Sequence, residues 1–575
     1  MEQTVSIGNQ DFRSLRENKS FYIDKSLFIK EWWESQDIVT LITRPRRFGK
    51  TLNLNMLMYF FSNHYADRGD LFEGLSIWAE ETYRDLQGQY PVIFLSFADI
   101  KGQNYQDTRE GIISAVAELY KNHDYLLQGD VLSDAEKEYF ISFEKYMVDT
   151  STGQPLKDAS ITRALKQLSF YLSRYYGKKV LIFLDEYDTP LQEAYVNGYW
   201  NEITGFIRSI FNSTFKTNPY MERGLLTGIT RVSKESIFSD LNNLEIVTTT
   251  SEKYCMRFGF TEEEVFAALE LFGMPDEKMN VKQWYDGFTF GSQKDIYNPW
   301  SITCFLENRE FIPYWANSSS NTLISSLIRK GSPQTKMFME DLLKERSLTM
   351  EIDEEIVFNQ LQKKRGAIWS LLLASGYLRV DERVFDQKAG RFDYRLVLTN
   401  REVRMMFDDM VRDWFADEDI PYNNFLKALL LDDVDYMNQY MNEVAELTFS
   451  SFDTGKKPSD TADPERFYHG FVLGLIVELA GEYKVSSNRE SGFGRYDVML
   501  EPLDCSKRAY VLEFKVRNPK KDRTLEDALQ AALTQIEEKD YDRELLARGI
   551  PRENIRHYGF AFEGKKVLIG AGGYQ

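Results

Sequence analysis

Four short runs of nearly unbroken apolar residues constrain this chain most. They are "DIVTLIT" (37–43), "YPVIFLSFADI" (90–100), "VLIFLDEYDTP" (180–190) and "RGLLTGITRVS" (223–233). A strand with one wet face alternates apolar and polar residues, whereas one apolar throughout is covered on both faces. Helix-like sequence separates the runs: "LNLNMLMYFFSNHY", a pattern around 105–122, "ITRALKQLSFYLSRYYG" (161–177) and a stretch near 199–216. The segment 123–160 is polar and reads as an insertion. Strands alternating with helices predict a mostly parallel sheet with helices on both faces. Such sheets take ligands beyond the carboxyl ends of their strands.

Two of those ends carry chemistry. The first run leads straight into "RPRRFGKT" (44–51) and then a helix. This is the place of a phosphate loop, GxxxxGK[ST], with Arg44 in the first glycine position. Gly49 lets the backbone close on a phosphate, Lys50 neutralises its oxygens, and the Thr51 hydroxyl ligates Mg²⁺. The expected nucleotide contacts are Arg44, Pro45, Arg46, Arg47, Phe48, Gly49, Lys50, Thr51 and Leu52. A GKT alone arises often by chance. The third run, however, ends in the adjacent carboxylates Asp185 and Glu186, which need a positive partner. Mg²⁺ and Lys50 supply it if Asp185 holds the metal and Glu186 polarises the attacking water. A third contribution comes from Thr230 or Arg231 after the fourth run, placed to sense a γ-phosphate.

Beyond about residue 260 the chain turns helical, opening with "GFTEEEVFAALELFG", where Thr261 and Glu264 form a capping-box pattern. "LLLASGYLRVDERVFDQKAGRFDYRLVLTN" (371–400) reads as a helix end and two strands, in the manner of a small winged-helix element. "SSFDTGKKPSDTADPE" (450–465) is the best boundary. The expected domains are 1–260 (ATPase), 261–450 (helical lid and winged-helix-like region), a 451–465 linker, and 466–575. The last contains Asp497 in "GRYDVML", and Glu513 and Lys515 in "EFK". Residues two apart on a strand share a face, so Glu513 and Lys515 project together, and a hairpin brings Asp497 to them. Two carboxylates and a backbone carbonyl suit Mg²⁺ or Mn²⁺, and Lys515 can orient or deprotonate a water attacking a phosphodiester. Asp, Glu and Lys at this spacing are common by chance, so the strand order around them carries the reading. Arg517, Lys520, Lys521 and Arg523 follow as a phosphate-gripping edge.

Several motifs make a resemblance. "FYIDKSLFIKEW", "TRPRRFGKTLNLNML", "VLIFLDEYDTPL", "GLLTGITRVSKESIFSDLNNL", "WYDGFTFG" and "IYNPWSI" together resemble the bacterial AAA-ATPase-like family over roughly residues 5–300. The Arg at the first loop position looks like that family's own variant. The resemblance implies ATP binding in an AAA-type fold, with Phe21 to Lys25 near the adenine. "SNRESGFGRYDVML", "AYVLEFKV", "ALTQIEEKDY" and "YGFAFEGKKV" resemble a PD-(D/E)XK superfamily nuclease over roughly 465–570. That likeness implies Asp497 and Glu513 as metal ligands and Lys515 as the catalytic lysine. Gln535 and Tyr541 resemble the extra helix motif of some members, which puts Gln535 among the nucleic-acid contacts. The Pro usually found before the first acid is absent.

Composition limits the rest. A net charge of −19 over 575 residues argues against wholesale electrostatic binding to nucleic acid, though not against a local basic groove. Three cysteines without paired spacing, no secretory start and no apolar run of membrane-spanning length fit a cytoplasmic chain without a membrane partner. Related ATPases often form rings, so a homo-oligomer stays open. The expected function is an ATP-dependent, Mg²⁺-requiring nuclease acting on DNA, its ATPase gating or positioning the cleavage site. The alternative is a nucleotide-driven switch whose C-terminal domain binds nucleic acid or protein without cleaving.

Overall fold

The structure is a computed structural model. It describes residues 4–145, 153, 157–230, 237–238, 241–318, 322–329, 333–343, 345–353, 366–387, 390–416, 423–448, 472, 476, 483–491, 494–504, 506–519 and 521–572. Two compact units emerge, one from Met1–Leu323 with Ser347–Met405, the other from Ile324–Arg346 with Met406–Gln575.

In the first unit the four apolar runs become β1 (Val39–Thr43), β2 (Val92–Ser96), β3 (Val180–Asp185) and β4 (Met221–Gly228), joined by β5 (Leu244–Val247). All pair in parallel, in the order β2-β3-β4-β1-β5. Every residue of β1 and β3 is buried, which is why neither alternates. α1 (Lys50–Phe61) starts directly after the loop that follows β1 and buries Leu54, Met56, Leu57, Phe60 and Phe61. The helix Ala164–Tyr176 stops at Gly177, whose φ of 64° is left-handed. The Thr261 capping box forms as the sequence requires: Thr261 Oγ1 accepts from Glu264 N at 3.3 Å, and Glu264 Oε2 accepts from Thr261 N at 2.8 Å. Further along, the helix Ala367–Ala374 precedes a hairpin of Leu378–Asp386 and Arg391–Leu398.

The second unit is built on a mixed sheet of β6 (Tyr483–Ser491), β7 (Gly494–Pro502), β8 (Ala509–Val516), β9 (Ile555–Glu563) and β10 (Lys566–Gly572), ordered as numbered. Only β8 and β9 run parallel. The expected hairpin of β7 and β8 is present, with Val498 opposite Leu512. One core joins Met499, Val511 and Ala561 to α4 (Leu525–Glu538) through Ala528, Leu529, Leu533 and Ile536. The other joins Leu500, Leu512, Phe514 and Phe560 to α2 (Asn423–Leu431) and α3 (Val434–Thr448).

α2 and α3 fall within 261–450, the stretch expected to form a helical lid and winged-helix-like region, and they bury Phe425, Leu429, Met437 and Met441 in the second unit's core. Asn438 and Asn442, one turn apart on α3, also bond the edge strand β10. Asn438 exchanges hydrogen bonds with Ile569 N (2.7 Å) and O (2.8 Å), and Asn442 with Val567 N (2.9 Å) and O (2.7 Å). A strand edge that would otherwise offer unpaired backbone groups is closed. The proposed 451–465 linker lies outside the described residues.

Candidate functional site

In the first unit the loop 44–49 joins β1 to α1. Gly49, at φ 77°, turns the chain into the helix. Thr51 Oγ1 donates to Asp185 Oδ2 at 2.7 Å, joining the two halves that the sequence places 134 residues apart. Asp185 is buried, and its other oxygen accepts from Thr227 Oγ1 at 2.5 Å. Burial raises its pKa above the ordinary value, against the pull of both hydroxyls. Lys50 is buried too; its Nζ donates to the carbonyls of Arg44 (3.0 Å) and Pro45 (2.8 Å). Burial lowers its pKa, while Glu186, Asp185 and Asp188 oppose that. Glu186 leaves the strand at φ 51°, an uncommon conformation for a non-glycine residue, and lines the cleft with Lys50 and Thr51.

That cleft has a volume of about 220 Å³. Arg46, Arg47, Phe48, Gly49 and Leu52 line it, as do Phe21, Tyr22, Ile23 and Lys25 from the segment expected near adenine. Arg44 does not. It is fully buried, its guanidinium donating to the carbonyls of Thr43 (2.9 Å) and Thr248 (2.6 Å) and lying 4.6 Å from the Phe290 ring centroid. Arg44, expected among the nucleotide contacts, instead turns its fork inward onto the backbone. Pro45 contributes its carbonyl to Lys50 and packs where Gly376 (φ 87°) leaves room; a Cβ there would stand 2.8 Å from Pro45 Cγ. Thr230 is buried, donating from N and Oγ1 to Asp188 Oδ2 at 2.9 Å each. Arg231 lies outside the described residues.

The sequence reading missed Asp188 and Thr227. Asp188 fixes the turn after β4, also accepting from Ile229 N at 3.1 Å. Both were visible in principle, as the second Asp of "DEYD" and the Thr of "TGIT" at a strand exit.

In the second unit β7 and β8 bring the expected acids together. Asp497 Oδ2 accepts from Phe514 N at 2.8 Å, which sets this carboxylate beside the backbone between Glu513 and Lys515. Glu513 is only 1% exposed. Its Oε1 accepts from Lys515 Nζ at 3.1 Å and from Gln535 Nε2, while its buried Oε2 has no hydrogen-bond partner among the described residues. Burial, then the nearby Asp497 charge, push its pKa up to about 8, against the pull of Lys515. A buried carboxylate oxygen without a donor, beside a second acid, is the donor set a hard divalent cation fits. Gln535, expected at nucleic acid, is instead engaged on Glu513 and on Tyr541 OH (3.1 Å).

The basic edge differs from expectation as well. Arg517 pairs with Glu563 and donates to Arg523 O at 3.0 Å, so it braces its own loop. Lys521 and Arg523 are exposed, and Lys520 lies outside the described residues.

Residues 6–238 match the family model described as "Predicted AAA-ATPase", and residues 463–571 that of the PD-(D/E)XK nuclease superfamily. The chain joins an AAA-ATPase-like domain to a PD-(D/E)XK superfamily domain. The parallel sheet of the first unit and the mixed sheet of the second accord with these two assignments. The chain is also similar to an uncharacterised protein from the vnfD 5′ region of Azotobacter chroococcum mcd 1. The two are 25% identical over 563 residues, spanning 95% of this chain and 94% of the relative. The AAA-ATPase-like domain supports nucleotide binding, and the PD-(D/E)XK domain a nuclease-type function. Among the described residues no helix is long and apolar enough to cross a membrane.

Proposed function

We propose that the AAA-ATPase-like domain binds and hydrolyses ATP, and that the PD-(D/E)XK domain cleaves phosphodiester bonds in DNA under the control of that cycle. The observation that carries the cleavage reading is Glu513 Oε2, buried in a cluster with Asp497 and Lys515 and without a hydrogen-bond partner among the described residues. Asp497, Glu513 and the Phe514 carbonyl would hold Mg²⁺ or Mn²⁺, which when bound neutralises charge on the phosphate. Lys515, more open than Glu513, would orient a water toward phosphorus. That water's oxygen forms the new P–O bond while the opposite P–O bond breaks, the leaving oxygen taking the electron pair and a proton. Gln535 and Lys515 share one oxygen of Glu513 and so fix the direction of the other.

In the ATPase domain Lys50 would shift from loop carbonyls to phosphate oxygens. Thr51 and Asp185, already joined, would take Mg²⁺ with the nucleotide, and Glu186 would align the attacking water. The rival reading, a domain that binds nucleic acid or protein without cutting, draws on Arg517 being occupied by Glu563. Nicking of DNA with Mg²⁺ or Mn²⁺ separates the two. Wild type should cut, and Lys515→Ala should cut at least about 100-fold more slowly. Absence of cutting by wild type on any DNA or RNA form, with or without ATP, refutes the nuclease. ATP turnover unchanged in both Lys50→Ala and Glu186→Gln refutes the phosphate site.

A further inference from the structure

Five cationic side chains line the nucleotide cleft: Lys25, Arg46, Arg47, Lys50 and Arg257. Three are committed. Lys25 is buried against Glu264 at 2.6 Å and donates to Met256 O at 3.0 Å, Lys50 rests on loop carbonyls, and Arg257 pairs with Glu31 at 2.6 Å. Arg47 is held differently. Its guanidinium carbon lies 4.3 Å from the centroid of the Trp300 ring, and no carboxylate among the described residues pairs with it. Trp300 is itself a wall of the cleft.

The backbone beneath this pair is fixed. Arg47 sits at φ 64°, which an arginine adopts only where the surroundings impose it. The preceding carbonyl, Arg46 O, accepts from Asn298 Nδ2 at 3.2 Å and from Trp315 Nε1 at 3.0 Å. Asn298 also caps the helix Pro299–Asn308, its Oδ1 accepting from Trp300 N at 2.9 Å. Loop and helix are therefore tied at the main chain, and the freedom left at this point is the Arg47 side chain.

We propose that Trp300 is a latch for Arg47, holding the guanidinium at the cleft wall until a nucleoside triphosphate draws it onto a phosphate. A cation over an indole at a partly solvated surface is a weak contact, and a forked, charge-assisted bond from arginine to phosphate is stronger. The phosphate wins when present and the indole wins when it is absent. Trp300 thus acts as a positioning residue: it keeps Arg47 ordered near the phosphates and loses its cation when they arrive. The helix Pro299–Asn308, whose first turn carries that indole, receives the change.

This inference rests on the nucleotide reading of the cleft, so its test measures binding separately. ATP bound to the full-length chain is measured by equilibrium dialysis, and tryptophan emission is recorded on the same samples. In wild type, ATP should shift the emission, because the indole exchanges a cation for solvent or base. Trp300→Phe should lose most of that shift per ATP bound. Arg47→Ala should show, before any nucleotide, an emission already displaced toward the ATP-bound value, and should bind ATP about tenfold more weakly. An unchanged shift per bound ATP in Trp300→Phe, or a nucleotide-free emission in Arg47→Ala identical to wild type, overturns the latch while leaving the nucleotide site standing. Failure of wild type to bind ATP overturns both.

Discussion

Glu402 offers a direct test of how the phosphate loop is braced. Its carboxylate is 0% exposed, accepting from Ser301 Oγ at 2.9 Å and from Trp315 N at 3.1 Å. Trp315 in turn donates to Arg46 O. Burial pushes the Glu402 pKa up to about 7 from an ordinary 4.5, because two donors do not replace water around a full negative charge. The folded chain therefore keeps a proton that the unfolded chain releases between those values. Stability must fall as pH rises through that window and level off above it. The gap corresponds to about 3 kcal/mol. Glu402→Gln keeps an acceptor oxygen but has no proton to lose. It should match wild type near pH 4.5, lose the slope, and be more stable by about 3 kcal/mol at pH 8. Urea unfolding at several pH values, followed by tryptophan emission, reads this unit, because eight of the nine tryptophans lie in it. A Glu402→Gln slope equal to that of wild type would refute the argument.

Four further variants test the two sites. Glu513→Gln should stabilise the metal-free chain at pH 8, since a carboxylate that burial and Asp497 both oppose is replaced by a neutral amide; Mg²⁺ should raise the melting temperature of wild type and not of this variant. Thr227→Val deprives the buried Asp185 of a donor and should destabilise the chain by about 1–3 kcal/mol, read by urea unfolding, with slower ATP hydrolysis. Arg517→Ala should lower the melting temperature without changing the salt dependence of DNA binding. Removing Lys521 and Arg523 together should reduce the log–log salt slope by about 2.

What the sequence made legible is what rests on short-range periodicity. The buried parallel strands are read from unbroken apolar runs. Glu513 and Lys515 share a face because a strand repeats every two residues, and the Thr261 capping box spans one helical turn. Contacts set by tertiary packing were not legible. Arg44 looks like one more cation in a basic loop, and only the approach of Thr248 and Phe290, more than 200 residues later, turns it inward. Asn438 and Asn442 look like the polar face of a helix, yet they close a sheet edge and carry α3 into the second unit's core. The polar tract at 450–465 marked a change in composition, while the core changes hands earlier.

The inward arginine reverses the usual logic of its position. Where glycine heads such a loop, the turn is permitted by a missing side chain; here it is secured by a tether. Substituting glycine to restore the common pattern would strip donors from the Thr43 and Thr248 carbonyls and empty the space beside Phe290. Repair toward consensus would dismantle this loop. Scans that insist on glycine there will pass over proteins anchored in the same way.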